Sequence, residues 1–156
     1  MISEFKKAFS EVVAGVVQPL ISRPVHMQVA AACLRDGKKG REVLLITSRG
    51  TGRWVLPKGW PMDGKTNHQS ALQEAWEEAG VKKARVTPVA LGCFAYDKIL
   101  DGGLPLPVNC YVYAAEVEKM SSDYPESHER KRSWVPVAKA ATMVQEPELQ
   151  ELLQGL

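Results

Sequence analysis

The chain has 156 residues, 45% hydrophobic and 24% charged, with a formal net charge of +2. That length suits one domain with a substantial core, and so mild a positive charge does not by itself make a nucleic-acid-binding protein. No apolar run reaches the length of a bilayer-crossing helix, so no membrane partner is expected.

In chain order, Ile2, Phe5, Phe9, Val12, Val13, Val16 and Val17 recur at helical spacing until "QPL" stops the pattern. This predicts an N-terminal amphipathic helix (residues 1–20) ahead of a catalytic-sized domain (residues 21–156). Its apolar side is expected to pack on that domain or across a homodimer. The opening "MISEFKKAFSEVV" mixes charges among its apolar residues and lacks the centre of a secretory signal, which points to a cytoplasmic protein.

Strand character begins at 25–35 ("VHMQVAAACLR"), turns at "DGKKG", and returns at 42–49 and 54–57. A helical stretch follows, then strands over 84–100 and 107–118 with "DGG" between them. A polar loop (119–129) leads into a last strand (130–137), and residues 137–144 and 147–156 read as closing helices. The expected class is α/β, with helices covering a mixed sheet. Cys33, Cys93 and Cys110 lie far apart in apolar runs without CxxC spacing, so all three are expected to be buried, reduced and inert.

The stretch richest in chemistry is "GWPMDGKTNHQSALQEAWEEAGV" (59–81). Thr66 and Gln69 make a T-x-x-Q capping box and Gly80 stands at a helix stop, so 66–79 is read as a helix. Ala71, Leu72, Ala75, Trp76 and Ala79 form its apolar side. Glu74, Glu77 and Glu78 fall within about 100° of one face. Like charges at such spacings repel by about 0.2–0.5 kcal/mol per pair, and acids in the last turn also oppose the helix dipole. The crowding makes sense if a hard cation such as Mg²⁺ or Mn²⁺ neutralises it, since these ions take oxygen ligands and leave places for phosphate. The plain alternative is a solvated glutamate face.

The flanking residues decide between the two. The stretch resembles the Nudix box, G-x5-E-x7-R-E-U-x-E-E-x-G-U with U apolar, and Gly59, Glu74, Ala75, Glu77, Glu78, Gly80 and Val81 are all in register. The resemblance extends over most of residues 25–145. It implies an α/β/α sandwich and Mg²⁺-assisted hydrolysis of a nucleoside diphosphate linked to another moiety, or of a related polyphosphate. It also implies Glu74 and Glu78 as principal metal ligands, the Gly59 carbonyl as a further ligand, and Glu77 as ligand or assisting catalytic group. Two positions depart from the box: Lys65 replaces its Glu and Gln73 its Arg. Replacing both leaves no orphaned charge, so the departure bears on orientation and rate more than on metal binding. Lys65 is expected to be a solvated loop lysine.

Within the family, "LPKG" resembles the loop of diadenosine tetraphosphate hydrolases. The order "AACL … EVLL … SR … RWVLP … EEAGV … RKRSW" resembles diphosphoinositol polyphosphate phosphohydrolases. The resemblance makes Arg49, Arg53, Lys58 and Arg130 candidate phosphate contacts, where composition alone would leave them on a solvated face. The inositol branch carries basic residues just before its first "AACL", whereas this chain has only His26 there. The general base is sought on the loop at 119–129, with Glu126 first and Glu129 second. His26, His68 and His128 lack metal-ligand spacing, and His68, in the first helical turn, is expected to be exposed.

The leading expectation is a pyrophosphohydrolase of diadenosine or diphosphoinositol polyphosphates. The alternative is a degenerate domain that binds a nucleotide or phospholigand without turnover, motivated by Lys65 and Gln73. An RNA-end hydrolase finds little support, since "RKR" with Trp134 is the one basic-aromatic cluster.

Overall fold

A computed structural model describes residues 25–156; the helix expected at 2–18 lies outside them. Strand β1 (His26–Gly37) is the spine of an eight-stranded mixed sheet. Its run "VAAACL" alternates strictly: Val29, Ala31 and Cys33 enter one core, and Ala30, Ala32 and Leu34 enter the other. A strand buried on both faces reads as a continuous apolar run, which is what the sequence has.

The strand β1 pairs in parallel with β7 (Pro105–Met120), from His26↔Val108 to Leu34↔Glu116. On its other side it pairs antiparallel with β2 (Gly40–Thr47) at its C-terminal end. Where β2 leaves, β4 (Lys58–Gly59) takes its place through Val29↔Gly59 and Ala30↔Lys58. Strands β3 (Trp54–Val55) and β8 (Arg132–Pro136) extend the sheet on β2. Strands β5 (Val81–Val86) and β6 (Gly92–Ile99) both pair with β7.

Helix α1 (Asn67–Ala79) covers one face, setting Ala71, Ala75 and Ala79 in the cluster that holds Val29, Ala31 and Cys33. Small residues on both sides let helix and sheet approach closely. Helices α2 (Val137–Met143) and α3 (Pro147–Gln154) cover the other face, around Phe94, Val112, Leu149 and Leu153. The architecture is therefore the expected α/β/α sandwich.

Three sequence expectations are corrected, and one strand went unread. The single strand read over 84–100 is two strands, because the connection at 87–91 contains Pro88, which has no N–H to give a ladder. The two-residue β4 carries no periodicity to read. On α1, Leu72 and Trp76 are half-buried while Ser70 and Glu78 are buried, because the closely packed seam admits small side chains and pushes large ones to its flanks. Cys33 and Cys110 are buried and burial pushes each thiol up to about 12, but Cys93 is only half-buried.

Candidate active site

Helix α1 is fixed at both ends. The Thr66 side chain accepts from the Gln69 N–H, and the Gln69 side chain accepts from the Thr66 N–H at 2.9 Å. At the other end Gly80 takes φ +73°, and its N–H donates to the Trp76 carbonyl at 3.0 Å. That left-handed cap suits glycine, and a Cβ there would also lie 2.7 Å from the Ser121 carbonyl oxygen.

This anchoring presents Glu74 and Glu78 to the notch where β4 replaces β2 beside β1. A Cβ on Gly59 would sit 2.2 Å from Glu74 Oε1, so the carboxylate occupies space that only glycine leaves free. Glu78 is buried at 8% exposure. Its Oε1 accepts from the Lys58 backbone N–H at 2.9 Å, and its Oε2 accepts from Arg130 at 2.9 Å. Arg130 also reaches Glu126 at 3.0 Å and donates to the Thr47 carbonyl at 3.1 Å. The Glu126 N–H donates to the Glu77 carbonyl at 3.0 Å, which ties the 119–129 loop to α1.

Glu78 and Glu126 thus share the Arg130 guanidinium, Glu126 also lies 3.6 Å from Arg49, and Glu74 stands beside them without an ion pair among the described residues. Burial first, then the nearby charges of Glu78, Glu77 and Glu126, push Glu74 up to about 7 against the opposing pull of Arg130. Burial also raises Glu78, opposed by its bond from Lys58 N–H and by Arg130. No three His, Cys, Asp or Glu side chains among the described residues are already grouped around one point. The donor set nonetheless fits a hard divalent ion: Glu74, Glu78 and the Gly59 carbonyl offer only oxygen, and the lifted Glu74 marks a shortage of positive charge.

These groups open on a cleft of about 860 Å³, which brings together Gly59, Glu74, Glu78, Glu126, Arg49, Arg53, Lys58 and Arg130. Glu77 is half-buried and does not line it; its Oε1 accepts from Gln73 at 3.3 Å. Glu129 also lies off the lining, exposed and paired with Arg49 at 3.4 Å. Of the three acids expected to take a catalytic part, only Glu126 enters the cleft.

The basic candidates divide similarly. Arg49 is exposed at the rim. Arg53 is held by Glu146 at 2.5 Å. Lys58 lays its ammonium 5.3 Å from the Tyr96 ring centroid, where burial pushes it below the usual lysine range. Arg130, expected as a phosphate contact, is already paired twice to carboxylate. The "RKR" run is not a basic surface: Arg132 donates to the Ala79 and Ser121 carbonyls at 2.8 Å, and only Lys131 is exposed. Arg130 precedes β8 and is drawn inward by Glu78, Glu126 and the Thr47 carbonyl, while Arg132 opens β8. Lys65 is exposed, as expected. His68 is instead half-buried, 6.3 Å from the Tyr113 ring.

Sequence reasoning passed over Gln28, Trp60 and Tyr96, all of which line the same cleft, and Glu146, which holds Arg53. Gln28 carried a usable signal: it shares inward parity with Ala30, Ala32 and Leu34 on an otherwise apolar strand. Glu146 carried none, because its partner lies far away in sequence.

Comparison with known proteins matches the geometry. The family model described as NUDIX domain covers residues 25–154. Nudix hydrolase 13, mitochondrial, of Arabidopsis thaliana is 32% identical over 76% of this chain and 61% of its own length. The human diphosphoinositol polyphosphate phosphohydrolase 3-beta is 29% identical over 76% of this chain and 68% of its own. The chain thus spans about three-fifths of the plant relative. Among solved structures, a C. elegans Ap4A hydrolase superposes with TM-score 0.58 at 20% identity, covering 84% of this chain and 95% of that one. The NUDIX domain of Shewanella oneidensis NrtR, complexed with ADP ribose, gives TM-score 0.63 at 16% identity over 93% and 96%. These two likenesses concern the fold alone. With the Gly59–Val81 box in place on the loop and helix that such a site requires, the chain belongs to the Nudix family.

Proposed function

We propose that the protein hydrolyses a pyrophosphate bond in a nucleoside diphosphate-linked or polyphosphate substrate, with Mg²⁺ or Mn²⁺ as cofactor. The observation that carries this reading is the set of three carboxylates, Glu74, Glu78 and Glu126, facing one cleft in which Glu78 and Glu126 share Arg130 and Glu74 has no ion-pair partner among the described residues. Glu74, Glu78 and the Gly59 carbonyl would hold the ion. When bound, it supplies charge neutralisation and polarises the phosphoryl group under attack.

Glu126 is the general base of this reading. It takes the proton of the attacking water while the bond from phosphorus to the leaving phosphate breaks. One of its oxygens is pinned by Arg130. Arg130 therefore acts as a positioning residue between Glu78 and Glu126, and Arg49 at the exposed rim, paired only loosely with Glu126 at 3.6 Å and Glu129 at 3.4 Å, can turn to meet a phosphate. Glu77 serves α1 by fixing the base loop through its backbone carbonyl.

Diadenosine polyphosphates suit the cleft better than diphosphoinositol polyphosphates. Arg49, Arg53, Lys58, Lys98 and Arg130 face an equal number of acids, Glu74, Glu78, Asp97, Asp101 and Glu126, so the lining has no surplus positive charge for a ring dense in phosphates. The inositol reading draws its support from the human relative's name and from the shared order of motifs.

The test is metal-dependent turnover over a panel of diadenosine polyphosphates, ADP-ribose, nucleoside triphosphates and a diphosphoinositol polyphosphate, with Glu78→Gln alongside. Turnover that needs the ion and is lost in Glu78→Gln is the expected result. Metal binding with no turnover on any substrate would replace this reading with that of a phospholigand-binding module.

A further inference from the structure

On the sheet face opposite α1, the C-terminal helices bring a carboxylate up behind the cleft. Glu146 stands just ahead of α3 and is only 8% exposed. It holds the capping position of that helix, yet its side chain makes no hydrogen bond there. The carboxylate turns instead to Arg53, which it meets through Oε1 at 2.5 Å. Its other oxygen, Oε2, is buried and has no hydrogen-bond partner among the described residues. Native proteins rarely leave a buried acceptor bare without a reason.

Two cations stand near it. Arg53 and Lys58 both line the cleft, and Lys58 forms no ion pair among the described residues, its ammonium resting on the Tyr96 ring. Burial above all pushes that ammonium below the usual lysine range; among the nearby charges Arg53 adds to the push and Glu146 opposes it. One carboxylate therefore answers two cations, Arg53 by direct contact and Lys58 at longer range. Glu146 itself does not line the cleft, so its negative charge comes on top of the five acids that already balance the five cations of the lining. The Arg53 side chain makes no other hydrogen bond among the described residues, so a ligand phosphate would have to compete with Glu146 for it.

We infer that Glu146 is a specificity-determining residue: from behind the lining it neutralises Arg53 and offsets Lys58, and so turns the cleft away from ligands dense in phosphate. Selectivity of this kind comes from what a site withholds from the wrong ligand as much as from what it offers the right one. Arg53 then belongs to the internal charge pairing and not to the phosphate contacts. The inference rests on the cleft being the substrate site proposed above, but it is read from binding, which needs no turnover.

The experiment is isothermal titration calorimetry of the full chain in Mg²⁺, with inositol hexakisphosphate and AMP as probes. Neither contains a pyrophosphate bond, so both persist during the titration. Glu146→Gln frees Arg53 and should tighten inositol hexakisphosphate binding by about tenfold or more, the worth of one charge-assisted hydrogen bond. AMP, with a single phosphate, should stay within about twofold. Glu151→Gln removes the same charge from an exposed position on the same helix, and should change either affinity by less than about twofold. The double variant Arg53→Gln/Glu146→Gln keeps the wild-type net charge and leaves no lone buried ion, so it carries the test even if Glu146→Gln unsettles the core. It should bind inositol hexakisphosphate within about twofold of wild type. A loss of about tenfold in the double variant would make Arg53 a phosphate contact and overturn the inference. So would a gain in Glu146→Gln no larger than that in Glu151→Gln, or an equal gain with AMP. The expected binding pattern without hydrolysis of any substrate would sink the proposed activity and leave the role of Glu146 standing; hydrolysis without the pattern would do the reverse.

Discussion

The two ends of the cleft manage charge in opposite ways. On the α1 side, Glu78 and Glu126 pair with Arg130 with Glu74 beside them, and burial first, then the neighbouring carboxylates, lifts Glu74 to about 7. On the far side, Arg53 is matched by Glu146, Lys58 lies on an aromatic ring, and the neutral amide of Gln28 accepts from the Tyr96 hydroxyl. One end is short of positive charge; at the other, cation and acid or aromatic ring are matched. The two-residue β4 joins them, since the Lys58 backbone N–H serves Glu78 while its side chain serves the opposite face.

The largest effect should come from breaking the charged end at its proposed base. Glu126→Gln keeps the shape of the side chain but cannot take a proton, so kcat should fall about 10²–10⁴-fold with little change in KM. Glu129→Gln, in the same loop but outside the cleft, should stay within about twofold of wild type, because exposed pairs contribute at most about 1 kcal/mol. Steady-state kinetics on the two variants decides the matter. If Glu126→Gln kept more than about a tenth of the wild-type kcat, the assignment of the base would be lost.

A second break is steric. In Gly59→Ala the new methyl would stand 2.2 Å from Glu74 Oε1, so the carboxylate must move. A displacement of about 1 Å at a reacting centre can lower rate about a hundredfold. The fold should persist, since the position lies at the end of a short strand, and circular dichroism separates the two effects. A fully active Gly59→Ala would show that Glu74 does not need its place in the notch.

The charge shortage also predicts a pH signature in the metal-free protein. Glu74 and Glu78 both bind protons more tightly folded than unfolded, so between the ordinary carboxylate value and about 7 the native state holds the extra protons. Their contribution to stability is therefore present at low pH and is lost as pH rises through that window. Measured by thermal melts in EDTA, this contribution should lower Tm by about 2–6 °C between about pH 5.5 and about pH 8. Its size is the difference between wild type and Glu74→Gln, which removes the titrating group. Mg²⁺ should raise Tm more at the higher pH, where the ligands are already ionised. A wild-type Tm that tracked Glu74→Gln across the whole range would contradict the crowding account.

The charged end was largely legible in the sequence, because its parts lie in one continuous stretch. The capping box, the Gly80 stop, and the register from Gly59 to Val81 place Glu74 and Glu78 before any coordinates are known. Its limits were local. Helical spacing put Glu77 beside the other two acids but could not show that close packing on an alanine-lined sheet buries Glu78 and leaves Glu77 outside the cleft. The balanced end was barely legible, since Gln28, Lys58, Tyr96 and Glu146 come from four distant segments joined only by the sheet and the C-terminal helices. The "RKR" run misled for a related reason. Charge along a sequence says nothing of distant partners, and here carbonyls and carboxylates from other elements draw Arg130 and Arg132 inward.

The smallest expected effect concerns the two departures from the family box. Gln73 bonds Glu77 one helical turn away at 3.3 Å, a pair worth about 0.2–0.5 kcal/mol on an α-helix. Because Glu77 fixes the base loop through its backbone carbonyl and not its carboxylate, loosening that side chain should barely move Glu126. Gln73→Ala should then lower kcat by no more than about twofold, and Lys65→Glu, at an exposed loop position, should do less. A tenfold loss in Gln73→Ala would mean that the Glu77 side chain reaches the reacting groups during turnover. The boundary between the two ends of the cleft would then have to be redrawn to include the outer face of α1.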